Sequence, residues 1–231
     1  MKNISIYYNP YRLETKIQIE GEDLRRNSKP NCGKKILQEW ISQADYLRYN
    51  DTNIIEILTR VKTLATAIAQ YHKEGYLYLD IKPENIFINS QSSEYINLVD
   101  FGTAYKASDI DDKRVLDLSF PNGFSAPELI QGKISKLGIR TDVYAIGALL
   151  YYKLFNMKPT FKDGRYLAKY EFRNMFLYDE RLKPIFYEEL EEFLHKTIAI
   201  SIMLRWDSME QVIKALDRLI KYVDIDEMDD I

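Results

Sequence analysis

The chain has 231 residues, 46% of them apolar and 29% charged, with 32 Lys and Arg against 35 Asp and Glu for a formal net charge of −3. That mixture belongs to a soluble globular chain of one large domain, or of one domain plus an appendage, and it excludes a collagen-like, disulfide-scaffolded or wholly disordered protein. It also offers no broad basic field for nucleic acid. The longest apolar stretch, Val143 to Phe155, is interrupted by Lys153 and falls short of the roughly 20 residues a bilayer helix needs, so no membrane partner and a cytoplasmic location are expected.

In chain order, residues 1–42 read as a short β-hairpin followed by the start of a helix. Ile4, Ile6 and Tyr8 alternate with polar residues, Asn9-Pro10 turns, and Thr15 to Glu20 alternates again around Ile17 and Ile19. Residues 21–33 are polar and turn-rich. Arg25, Arg26, Lys29, Lys34 and Lys35 form a local basic cluster, read as a solvated face, and Cys32, the single Cys, has no internal partner. From residue 43 the chain turns mainly helical. Asn53 with Glu56 three positions on has the form of a capping box, and Ile54, Ile57, Leu58, Val61, Leu64, Ile68 and Tyr71 recur on one face until Gly75 ends the helix. Strand-like runs follow at Ile86 to Ile88 and Tyr95 to Val99. Residues 142–155 are apolar on nearly every side, which predicts a helix in the middle of a large core. A last helix starts at Ser208, with Gln211 in the third position and Val212, Leu216, Leu219 and Val223 on its packing face. Asp224, Asp226, Glu227, Asp229 and Asp230 then read as an acidic, solvating tail over 224–231. His72 and His195, 123 positions apart, lack metal-site spacing and read as a helix-end packing residue and a surface or half-buried helical one.

The chemistry concentrates in Tyr78-Leu79-Asp80-Ile81-Lys82-Pro83-Glu84-Asn85 and in Asp100-Phe101-Gly102. Two carboxylates, a carboxamide and an ammonium at the ends of short strands suit phosphoryl transfer. Asn85 and Asp100 offer the oxygen ligands a hard divalent cation takes, Asp80 offers an acceptor for a hydroxyl proton, and Lys82 can neutralise charge on a moving phosphate.

In order and spacing these residues resemble the carboxy-terminal lobe of a eukaryotic-type protein Ser/Thr kinase. The family's HRDLKPEN is matched identically at Asp80, Lys82, Pro83, Glu84 and Asn85, with Ile81 for Leu and with Tyr78 and Leu79 in place of His and Arg. Ala126-Pro127-Glu128 follows Gly102 after 23 intervening residues, a length that fits an activation segment. The resemblance implies that Asp80 is the catalytic base, that Lys82 contacts phosphate, and that Asn85 and Asp100 ligate magnesium, with ATP as the second cofactor and a protein Ser or Thr as acceptor. It further implies that Asp142 hydrogen-bonds the backbone of the catalytic loop and that Glu128 pairs with Arg205, both in structural roles. The fold class expected is α+β, protein-kinase-like: a mainly helical carboxy-terminal lobe over 43–223 with a short amino-terminal β-hairpin, 1–42, in place of a full amino-terminal lobe.

The family's amino-terminal lobe carries a Gly-rich loop, a strand lysine and a helical glutamate. No G-x-G-x-x-G occurs in this chain, and Lys16 lies only 64 positions before Asp80, too short an interval for Lys16 and Glu39 to reproduce the lysine and glutamate pair. The resemblance therefore implies a weak or partner-dependent protein kinase, with either a shortened upper lobe or a partner chain completing the nucleotide cleft. The alternative is a catalytically inactive pseudokinase module or truncated relic. A small-molecule phosphotransferase fits less well, because Ala126-Pro127-Glu128 and the Asp142 helix mark the protein-kinase branch. The hairpin itself is expected to cap apolar surface at the top of the lower lobe.

Overall fold

The computed structural model describes residues 3–9, 14–20, 53–89, 92–98, 104–110, 123–159, 161–162, 165–166 and 182–228. The basic cluster, Cys32, Glu39, Asp100-Phe101-Gly102 and the last three residues lie outside them.

Four long helices and one of a single turn form the body of the described structure. Helix α1, Ile54–Lys73, starts where Asn53 accepts a hydrogen bond from the Ile55 N–H at 2.8 Å. The capping box is half realised: Glu56 turns along the helix to pair with Arg60 instead of reaching back to Asn53. The helix ends just before Gly75, whose φ of +79° reverses the chain at little steric cost. All seven residues of its apolar stripe are buried.

Helix α2, Pro127–Ile130, is a single turn, and helix α3 runs Ile139–Phe155. The all-round apolar pattern of α3 is matched by burial of every residue from Thr141 to Tyr151. It begins three residues earlier than residue 142, because Gly138 and Thr141 cap it, the Gly138 N–H donating to Thr141 Oγ1 at 3.1 Å. Helix α4, Pro184–Thr197, has Pro184 at its first position, where a missing N–H costs nothing, and His195 on its exposed side. Helix α5, Met209–Met228, packs on α1 and α4. Gln211 Oε1 accepts from the Ser208 N–H at 3.3 Å, as its sequence signature predicts. The helix does not stop at Val223 but continues through Asp224 to Met228, so the acidic stretch starts helical rather than as a disordered tail. Neither Gly nor Pro stands there to end it.

Helices α3 and α4 approach closely at Gly147, where a Cβ would collide with the Thr197 side chain. Thr197 cannot yield freely, since its hydroxyl donates to the Phe193 carbonyl at 2.8 Å and it is fully buried. Gly147→Ala is therefore expected to destabilise by about 1–3 kcal/mol through overpacking, although alanine is the better helix former. A urea midpoint at or above that of the parent chain would contradict this.

Strands frame one end of the helical body. Strands β1, Asn3–Asn9, and β2, Glu14–Glu20, form the expected hairpin, paired antiparallel along seven residues from Asn3↔Glu20 to Asn9↔Glu14. Strand β3, Tyr76–Leu77, leads into the loop at 78–82. Strands β4, Ile86–Asn89, and β5, Ser92–Leu98, form a second antiparallel hairpin with a register shift after Ile88. Strand β6, Tyr105–Lys106, pairs with β3. A last short pair, β7 Phe161–Lys162 and β8 Arg165–Tyr166, lies apart. The two hairpins join through Tyr7↔Asn97 into one sheet of order β2-β1-β5-β4.

Candidate active site

The loop between β3 and β4 is shaped by a carboxylate from another element. Asp142, in the first turn of α3 and fully buried, accepts from the Tyr78 N–H through Oδ2 and from the Leu79 N–H through Oδ1, each at 2.9 Å. Two consecutive N–H groups can face one anion only if the backbone between them leaves the extended region, and Leu79 has φ of +64°. A left-handed residue other than Gly costs roughly 1–2 kcal/mol, which the two charge-assisted hydrogen bonds and the burial of Leu79 offset.

His72 supplies a third partner, its Nε2 lying 2.9 Å from Asp142 Oδ2. The sequence reading placed His72 as a helix-end packing residue, and it does sit in the last turn of α1, but it also ties that helix to the loop and to α3. The signal available was its position a few residues before the motif; the partner lies 70 residues further on. Tyr78, standing where the family has His, is fully buried against Tyr71 in an edge-to-face pair with centroids 6.0 Å apart. Burial pushes the Tyr71 hydroxyl above the usual phenol range, so this ring stays neutral.

With the loop so held, Asp80 points into a polar knot. The Lys82 ammonium donates to Asp80 Oδ2 at 2.7 Å, and Asn85 Nδ2 donates to the same oxygen at 2.7 Å and to the Asp80 carbonyl at 2.9 Å. Asp80 is 1% exposed, yet its Oδ1 finds no hydrogen-bond partner among the described residues. A buried carboxylate oxygen left without a donor is costly in a structural role, and is what a group awaiting an external hydroxyl would show. Asn85 closes the one-turn 3-10 helix Pro83–Asn85, whose Asn85 N–H donates to the Lys82 carbonyl at 3.0 Å. Both hydrogens of its amide are turned to Asp80, so the remaining side-chain atom is a carbonyl oxygen, the ligand type that magnesium takes. The structure thus brings Asp80, Lys82 and Asn85 together; Asp100, two residues past the end of β5, is outside the described residues. Among the described residues no group of three His, Cys, Asp or Glu is placed to hold a metal ion.

A second polar centre anchors the chain beyond the loop. Arg205 Nη1 and Nη2 donate to the two carboxylate oxygens of Glu128 at 2.7 and 2.9 Å. Its other N–H groups go to the carbonyls of Ala199, Arg140 and Ile200, and its guanidinium lies 4.9 Å over the Tyr144 ring. Glu128 also accepts from Thr141 Oγ1 at 3.1 Å, which fastens α2 to the start of α3. This pair locks together three segments that carry and flank the site.

Against known proteins, the family pattern of the protein kinase domain matches residues 27–218. The chain is 27% identical over 228 residues to the serine/threonine-protein kinase PknD of Protochlamydia amoebophila, covering 88% of this chain and 22% of that protein. It is 34% identical over 128 residues to the maternal embryonic leucine zipper kinase of Danio rerio, covering 54% of this chain and 18% of that protein. The chain therefore spans about a fifth of the length of these curated relatives. Among solved structures, the twitchin kinase region from C. elegans superimposes with a TM-score of 0.55 at 18% identity, covering 78% of this chain and 34% of that one, a likeness of fold. No helix among the described residues is long and apolar enough to cross a membrane.

Proposed function

The chain belongs to the protein kinase family, and from that premise we propose that it serves Mg-ATP-dependent phosphoryl transfer to a Ser or Thr hydroxyl of a protein substrate. The observation that carries this reading is Asp80: a buried carboxylate with one oxygen held by Lys82 and Asn85 and the other without a partner among the described residues. In this reading Asp80 Oδ1 accepts the proton of the substrate hydroxyl, while Oδ2 is kept in place by its two donors. Lys82, released toward a phosphate, neutralises its charge. Asn85 and Asp100 hold magnesium, and the donor chemistry of Asn85 fits that ion. Bound Mg-ATP supplies the phosphoryl group and the charge that screens it. The Lys two positions after Asp80 and the likeness to the serine/threonine-protein kinase PknD support a Ser/Thr acceptor.

The domain reading proposed is an amino-terminal segment over 1–42, a kinase carboxy-terminal lobe over 43–223 and an acidic end over 224–231. No G-x-G-x-x-G occurs in these 231 residues; in this reading a shortened upper lobe or a partner chain covers the phosphates, and activity is weak or partner-dependent. The same missing motif is the observation that favours the second reading, an inactive binding module.

Thermal melting with magnesium and ATP tests the binding step. At 100 times the dissociation constant, a ligand specific for the folded state adds about 2.7 kcal/mol. The expected result is a magnesium-dependent rise in melting temperature that Asp100→Asn abolishes. No rise at millimolar nucleotide would leave the second reading.

A further inference from the structure

We propose that Lys158 is a specificity-determining residue, selecting protein substrates that carry an acidic side chain about four or five residues from the acceptor hydroxyl. This inference deepens the phosphoryl-transfer reading and rests on it.

Lys158 is an exposed lysine that the fold nevertheless seats. Asn156 ends α3 in the left-handed region, with φ of +52° and its N–H donating to the Tyr152 carbonyl at 2.9 Å, and the chain turns back there. The Lys158 ammonium then stands 5.1 Å over the ring of Phe124. Its aliphatic stem runs beside Gly123, where a Cβ would lie 2.5 Å from Lys158 Cβ and 2.9 Å from its Cδ. Gly123 also has φ of +84°, so both its backbone and the space around it suit no larger residue. Phe124 is 2% exposed and is held from the other side by Tyr152, edge to face with centroids 5.5 Å apart. No carboxylate among the described residues pairs with Lys158. From Val143 to Pro159 the chain carries two lysines and no Asp or Glu. A cation whose stem and head already rest on the protein has little rotamer freedom left to lose when an anion arrives, which favours recognition of a carboxylate.

Its distance from Asp80 follows from α3. Asp142, which holds the loop backbone at Tyr78 and Leu79, and Tyr152, which holds Phe124, are ten residues apart on that helix, about 15 Å at 1.5 Å per residue. The segment 123–128 covers the same stretch in the opposite sense, with Phe124 against Tyr152 at one end and Glu128 accepting from Thr141 at the other. The loop and the segment share one core with α3, through Tyr78 and Ile81 on one side and Phe124 and Ala126 on the other. An extended peptide advances about 3.3 Å per residue, so a substrate with its hydroxyl at Asp80 Oδ1 and its chain along 123–126 brings the residue about four or five positions away level with Lys158.

The test uses the full chain with magnesium and ATP. Peptides with one central Ser on an alanine background carry a single Asp at successive positions on either side, each matched by its Asn counterpart. Phosphate incorporation and peptide affinity, by fluorescence anisotropy, are measured in parallel, with melting temperature as the fold control. The expected result is an Asp over Asn preference of about three- to fivefold, the range of a partly exposed ion pair, at a position four or five from the Ser. That ratio should fall to about one in Lys158→Met, persist in Lys158→Arg, and in Lys158→Glu give way to a preference for Lys at the same position. If Lys158→Met melts lower than the parent, Lys158→Gln is read on the same scale. A ratio near one at every position in the parent overturns the proposal, as does a preference that survives Lys158→Met or one confined to the immediate neighbours of the Ser. A parent that phosphorylates no peptide but binds the Asp peptide in a Lys158-dependent way overturns the phosphoryl-transfer reading alone, and a parent that does neither overturns both.

Discussion

An Asp80→Asn chain is expected to transfer phosphate about 10²–10⁴-fold more slowly than the parent, the usual contribution of a positioned general base. Asparagine is nearly isosteric, and its one oxygen can take the place of Oδ2, accepting from Asn85 and Lys82 as the carboxylate does. Its amide nitrogen then occupies the position of Oδ1, where it can donate but not accept a proton. The fold should survive, with a melting temperature within a few degrees of the parent. Incorporation of labelled phosphate into a Ser/Thr-rich protein, read for both chains with and without magnesium, decides the matter. Equal incorporation would remove Asp80 from the role of base, however well placed it is.

Glu128→Ala should have the largest effect on stability. It strips a fully desolvated guanidinium of its counter-charge and leaves two of its N–H groups without acceptors, a change that typically costs 3–5 kcal/mol. For a domain of this size that lowers the melting temperature by on the order of 10 °C. Arg205→Ala should be comparable, because the carboxylate is then the stranded charge, with the hydroxyl of Thr141 as its remaining donor. The double change Glu128→Leu with Arg205→Met should recover part of the loss, since an apolar pair of similar volume has no charge to desolvate. A loss below about 1 kcal/mol in the single variants would mean that water reaches the pair.

Asp80, Lys82 and Asn85 stand close together in the chain, so local spacing alone sets them around one point. The Asp142 hydrogen bonds and the Glu128 to Arg205 ion pair were expected from the kinase resemblance and are found. Helix α1 and strands at Ile86 to Ile88 and Tyr95 to Val99 were expected from periodicity and punctuation; β5 starts three residues earlier than expected, at Ser92. What escaped was relational. The bond from His72 to Asp142 and the pairing of Tyr7 with Asn97 join residues far apart in sequence, and neither member carries a pattern that names the other. The positive φ of Leu79 escaped for a related reason: leucine has no preference for that region, and the loop is bent by a carboxylate 63 residues away. Asp100 remains an expectation from the resemblance, outside the described residues.

That bend has a consequence for the order in which the molecule assembles. A segment containing Leu79 by itself favours extended backbone, so the turn that aims Asp80 is not a product of local preference and gains nothing until Asp142 arrives. The contact closes a loop of more than 60 residues, a step with a substantial entropic cost, and it requires the first turn of α3 to be formed and capped. The placement of Asp80 is thus expected to be a late product of folding, reached once the central helix has docked.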